Sequence, residues 1–590
     1  MMNVDQVNDV IQRWKDTPEV GFKPEDHQHF KNVGSACLGQ GESAQLLKVL
    51  QDERNQGFVK TMGCGLLAPL ASEVIRKEKS LDHCQAAITH LTRTCSPKEL
   101  LHGLLELIED TDPDAIADTI ITLAPHLQTV LLRMDEGKAA SLGLALSALQ
   151  KQMSRLPVPY TQQQEAADEF GLCRCCTALA AFMEPFVEEV KMKSGNGVGT
   201  PGDQELKTEL LKFCMRSLRE PLLQAQLDRG RKSPLWLFAT EILVTLPAIQ
   251  EPLPDLLFYN PLKKSILMDS HQSKESRACL AYLLFVQLIS IERFPAVFSP
   301  VFVLQCNMEY INILLSRKNE SCLLKGLALY AKSLESVQDN SLPVDLLELK
   351  TFYSVPQNLR QVLTDCPMQH LRETGLQVFQ LFINKLDSEA KHKFFRCMLK
   401  TSNHSGVEGY IVKNIKNQVE FSIKPGNGNE WFLGAEFLPL LGLALCLPQG
   451  AQTDLLHSMD RIMECLNLLR YLLIRDKEFR SNTDVWAELC RIKDEYLKRL
   501  RVCIGLSRVY YTSEVKALRE DQKLKAKEAR AVARSTTLVK SITVRHEKVS
   551  NMPPDVQHQV LQSALVTFDL MESLIVRIEE ITEEKEKTPN

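Results

Sequence analysis

Four groups of residues are of the types that can do chemistry. Gly197-Val198-Gly199-Thr200-Pro201-Gly202 spells the glycine fingerprint of a dinucleotide loop. That chemistry needs a strand ahead of the motif and a helix opening inside it, so that backbone amides face a pyrophosphate. Phe186-Val187-Glu188-Glu189-Val190-Lys191 ahead of it has helical spacing, and Pro201 removes an amide, so the segment reads as a linker. Cys173-Arg174-Cys175-Cys176 could suggest metal or redox work, but zinc wants four ligands, normally as two close pairs, and no second pair stands nearby. Cys173 and Cys176 instead share an apolar helical face with Leu172, Leu179 and Phe182. His404-Ser405-Gly406 offers a serine without a base, an orienting acid or an oxyanion hole. It reads as a corner between helices, with Ser402 or Asn403 as the cap and Gly406 giving room. The stretch 516–548 holds ten Lys or Arg against four acids. It lacks the interleaved aromatics that stack on bases, and is expected to be a protruding helix followed by a disordered loop.

The elements that would have to position such groups are helices, one amphipathic stripe after another. Leu371, Gly375, Phe379 and Phe382 recur at i, i+4, i+8 and i+11, the spacing of one buried helical face. Ser96-Pro97-Lys98-Glu99 is a helix start, with Ser as cap, Pro at the first helical position and Glu at the third. Gly41-Glu42-Ser43 is a weaker one, and another helix opens at Pro113-Asp114 and runs to about Met134. Small residues recur where two helices must approach closely. Ala281, Gly326 and Gly375 are about 45 and 49 residues apart, close to the roughly 40–47 of HEAT and armadillo repeats. The expected fold is all-α, a degenerate HEAT/armadillo-like helical-repeat solenoid.

Composition agrees. An apolar content of 44% is ample for a core, and the low aromatic content of 6% suits seams filled by Leu and Ala. A net charge of −4 over 590 residues gives no global basic field for nucleic acid or an anionic membrane. The uncharged run from Phe437 ends at Pro448, short of the roughly 20 residues a bilayer needs. No basic region followed by an apolar stretch opens the chain, so no secretory signal is expected. The 17 cysteines, mostly inside apolar stripes, are expected to be free thiols in a reducing, cytoplasmic setting. Four regions are expected: helical repeats over 1–193, a Gly-rich linker at 194–203, HEAT-like repeats over 204–400, and a C-terminal helical region over 401–590.

The final helix, expected from about Pro553 to Glu584, carries more apolar width than a capping helix needs. Val560, Leu561, Ala564, Phe568, Met571, Ile575 and Ile578 form a core face. A second arc of Val566, Leu570, Leu574 and Ile581, with Arg577 beside it, lies roughly 120° round. Such an arc is either covered by the preceding helices or is a docking face.

Specific strings then resemble the glomulin family, vertebrate helical-repeat proteins. They include Ser96-Pro97-Lys98-Glu99-Leu100-Leu101, Leu156-Pro157-Val158-Pro159-Tyr160, Gly171-Leu172-Cys173, Thr401-Ser402-Asn403-His404-Ser405-Gly406-Val407-Glu408-Gly409, Asp460-Arg461-Ile462-Met463 and Asn551-Met552-Pro553-Pro554. The likeness covers nearly the whole chain, apart from the Gly-rich and basic segments. It implies an all-helical, HEAT-like protein whose C-terminal part binds the RING domain of the RING-box subunit of cullin–RING ubiquitin ligases, with the cullin itself a further contact. Binding there would cover the docking place of the ubiquitin-conjugating enzyme and inhibit the ligase. The family is also associated with immunophilin-type prolyl isomerases and with the hepatocyte growth factor receptor. On this reading Val566, Leu570, Leu574 and Arg577 contribute to the docking face, and no catalytic residue, cofactor, metal, nucleic acid or membrane is expected. The rival reading is a generic helical-repeat scaffold that leaves ubiquitin transfer untouched.

Overall fold

In the computed structural model the described residues are 12–15, 21–76, 81–194, 201–227, 232–258, 271–528, 543–544, 547–548 and 553–587. Helices dominate throughout, the all-α helical-repeat class that the periodicity implies. The strands among the described residues are the two-residue pair Thr543–Val544 and Glu547–Lys548, antiparallel, inside the stretch expected to be disordered. By contact the chain groups into two compact units, Met1–Ser336 and Val337–Asn590. The boundary expected in the Gly-rich cluster therefore falls inside the first unit, and the one expected at 400/401 inside the second.

In the first unit, α1 (Pro97–Glu109), α2 (Ile116–Leu132) and α3 (Lys138–Met153) pack on one another in sequence. Ser96 stands at the N-cap of α1, although its side chain makes no capping hydrogen bond. Helix α4 (Leu172–Ser194) lies against α2, and α5 (Pro201–Arg219) against α3. Pro201 and Gly202 are already helical, so the linker is shorter than expected; residues 195–200, with most of the glycine fingerprint, lie outside the described residues. Helices α6 (Pro300–Leu315) and α7 (Glu320–Glu335) close the unit as an intimate pair. Gly326 is why they can be intimate: a Cβ there would stand 2.9 Å from Leu314 Cβ and 3.0 Å from Leu315. Forcing one in costs about 1–3 kcal/mol of overpacking.

The second unit repeats the device. In α8 (Lys350–Asp365) and α9 (Gln369–Lys385), Gly375 faces Leu363, where a Cβ would come within 3.2 Å. The stripe expected on α9 is its buried face, with Leu371, Val378, Phe379, Phe382 and Ile383 all buried. Helix α10 (Ser405–Ile423) packs on α12 (Met459–Ile474), and α11 (Phe437–Ala444) on the long α13 (Thr483–Glu528). Helix α14 (Pro554–Lys587) covers both α12 and α13.

Three helical stretches, Glu53–Ile75, Pro113–Leu132 and Asp555–Glu584, are long and apolar enough to cross a membrane by length and composition, a property the Phe437 run does not reveal. The most apolar 18-residue windows of the first two are each 50% buried inside the protein, and that of the third 28%. Glu53–Ile75 is also divided into short α and 3-10 turns.

Candidate docking surface

Two of the groups singled out for chemistry, the cysteines and the His404 corner, are occupied by packing. Cys173, Cys175 and Cys176 are buried on α4, and burial pushes the Cys173 and Cys175 thiols up to about 12 and the Cys176 thiol well above its ordinary value. At the corner before α10 the cap is His404, not Ser402 or Asn403: its Nδ1 accepts from the Val407 amide at 3.4 Å. Ser402 Oγ accepts instead from the His404 amide at 3.3 Å. Ser405 Oγ accepts from the Arg461 amide at 3.2 Å and is buried, so it is spent as a structural tie.

That corner belongs to a buried joint. Glu408 and Arg461 form an ion pair at 2.9 Å with side chains only 9% and 7% exposed. Arg461 also donates to the carbonyls of Leu443 (2.9 Å) and Ala444 (3.3 Å), which ties α10, α11 and α12 together. Gly409 lets α12 come in close, since a Cβ there would stand 2.9 Å from the Asp460 carbonyl oxygen. Two of the strings that carry the resemblance, 401–409 and 460–463, thus meet in space as one packing device.

The terminal helix pair differs. The core face of α14 is as expected: Leu561, Ala564, Phe568, Met571, Ile575 and Ile578 are buried and Val560 half-buried. Phe568 packs edge-on against Tyr511 of α13 at 5.3 Å, and burial pushes the Tyr511 phenol up. One rim is a belt of ion pairs: Arg508 with Asp569 (2.6 Å) and Glu572 (2.7 Å), and Arg501 with Glu579. Of the second arc, Val566 is 59% and Leu570 54% exposed, whereas Leu574 is half-buried. Ile581 is buried, the covered one of the two outcomes expected for the arc. Its end of α14 lies against the N-terminal part of α13, where Lys493 reaches Thr582 at 3.5 Å. Arg577 lies exposed at the edge, paired with Glu580 (2.9 Å) and Glu584 (3.6 Å).

A second stripe was not singled out in the sequence. On α13, Val502, Leu506 and Val509 are 51%, 56% and 72% exposed. At i, i+4 and i+7 they form one line, on the side opposite the buried Leu500, Ile504 and Tyr511. Lys498 and Lys516, both exposed and without an ion pair among the described residues, flank it along the helix. The signal was present as excess apolar width on one helix, as for α14. It was hidden because 46 residues of continuous helix carry several overlapping periodicities.

Among the described residues no cluster of His, Cys, Asp or Glu has the grouping to hold a metal. A groove of about 550 Å³ between α11 and α13 is edged by Glu488, Arg491, Glu495 and Arg499, which pair among themselves. Fold and surface together define a helical-repeat protein whose outward features are apolar stripes on rigid helices. The comparisons specify the family. A family model described as "Uncharacterised protein family, YAP/Alf4/glomulin" matches residues 1–564, and the chain belongs to that family. Human glomulin is 43% identical over 601 residues, covering 100% of this chain and 98% of the human protein, and mouse glomulin matches to the same extent. A solved structure of the karyopherin Kap121p aligns over 96% of this chain and 70% of its own, at 10% identity and a TM-score of 0.19, too low to inform the fold.

Proposed function

We propose that the chain is a non-catalytic inhibitor of cullin–RING ubiquitin ligases. It binds the RING domain of the RING-box subunit and occupies the place where the ubiquitin-conjugating enzyme docks. The kinship with glomulin supports this reading. The observation that carries it is the exposed apolar surface of the terminal pair, Val566 and Leu570 on α14 and Val502, Leu506 and Val509 on α13. A RING surface for conjugating enzymes is small and partly apolar. A standard interface of about 1,600 Å² with a few buried anchors outcompetes a weak ligand without chemistry. Rigid helices present those anchors already ordered, which limits the entropy lost on association. Lys498 and Lys516 favour a partner that is acidic around its apolar centre. The free state of all 17 cysteines fits a reducing, cytoplasmic setting.

The test is co-elution of the full chain with a purified cullin–RING-box complex on gel filtration. The wild-type chain is expected to co-elute stoichiometrically, and Val566→Asp/Leu570→Asp to elute apart. A wild-type chain that never co-elutes would leave the generic scaffold reading in its place.

A further inference from the structure

The first unit has a groove of its own, independent of the ligase reading. Helices α3 and α5 pack side by side, and an open groove of about 660 Å³ follows their outer seam. It is fixed from beneath, where buried Gln150 donates to the Phe213 carbonyl at 3.0 Å and to Ser217 Oγ at 2.9 Å. The α3 wall is low, made of Ala140, Gly143 and Ser147, with Leu144 standing 62% exposed among them. The Glu209 carboxylate rests over Gly143, 2.4 Å from where a Cβ would stand. Leu211 and Met215, half-buried on α5, extend the apolar floor.

The α5 wall is a charged track. Glu205, Glu209, Lys212, Arg216 and Arg219 follow at alternating steps of four and three, which keeps them on one stripe of the helix. At 1.5 Å per residue the track is roughly 21 Å long. Its sign changes once, from acidic at the N-terminal end to basic at the C-terminal end. Glu209 pairs with Lys212 at 2.6 Å and Arg219 with Glu220 at 3.2 Å. Arg216 donates to Ser147 Oγ at 3.0 Å and, like Glu205, makes no ion pair among the described residues.

We infer that this groove receives an amphipathic helix of a partner protein whose charged edge is bipolar: basic over Glu205 and Glu209, acidic over Lys212, Arg216 and Arg219. The low α3 wall admits a helix backbone, and Leu144 offers an anchor for its apolar stripe. Four turns of track match four turns of partner. The sign change fixes orientation and register more than affinity. A phosphate-rich ligand is disfavoured, because the acidic end would repel it.

Three synthetic 14-residue helical peptides test this, sharing one apolar stripe and differing in the charged edge: lysines then glutamates, all glutamates, or all lysines. Anisotropy titrations against the full chain at low salt should show the bipolar peptide binding about tenfold tighter than either other. Lys212→Glu/Arg216→Glu should hand the preference to the all-lysine peptide, and Leu144→Asp should weaken all three, with melting unchanged in both variants. Equal binding of the three peptides, no binding at all, or an unchanged preference in the charge-reversed variant would overturn the inference.

Discussion

The joint around Glu408 and Arg461 and the outer faces of α13 and α14 lie in the same unit and make opposite use of their residues. The joint hides two charges and three backbone carbonyl or amide groups, and each has a partner in the interior. The terminal pair leaves ordinary Val and Leu in water. A buried charge network fails as soon as one member changes, so it admits few residue types and gives a particular string. An exposed apolar stripe can be Val, Leu or Ile and looks like any other stripe. The distinctive string therefore marks the joint that holds the helices in place, while the plain string leaves its apolar side chains exposed.

Four variants can break or sharpen that contrast. Arg461→Leu leaves Glu408 buried without its cation and should cost about 3–5 kcal/mol, read as a steep fall in the melting temperature. Gly409→Ala drives a methyl into the Asp460 backbone and should cost about 1–3 kcal/mol in chemical denaturation. Leu574→Asp places a charge at a half-buried position and should cost about 1–2 kcal/mol. Val566→Asp/Leu570→Asp should stay within about 0.5 kcal/mol of wild type by the same denaturation, while partner binding weakens more than tenfold. If this last pair unfolded the chain and Arg461→Leu did not, the roles assigned to the two regions would be reversed.

Much of this was legible in the sequence. Helix positions followed from periodicity, and the close approaches at Gly326 and Gly375 followed from small residues at repeat spacing. The core face of α14 was readable because one helical wheel separates seven apolar positions cleanly. Ile581 was not, because its burial depends on where the start of α13 lies, which no local pattern records. His404 was passed over as a cap because Ser and Asn are the commoner cap residues and both stood beside it. The Thr543–Val544 pairing is too short for alternation to reveal. The Glu408–Arg461 pair joins residues 53 apart, and two charges on different helices carry no sign of each other until the helices are packed.

The most direct measurement is ubiquitin-chain formation by a purified cullin–RING ligase, titrated with the full chain at several concentrations of conjugating enzyme. Obstruction by occupancy predicts that inhibition saturates at one chain per RING-box subunit and is relieved as the conjugating enzyme is raised. Inhibition that conjugating enzyme cannot relieve, or no inhibition at saturating chain, would contradict it.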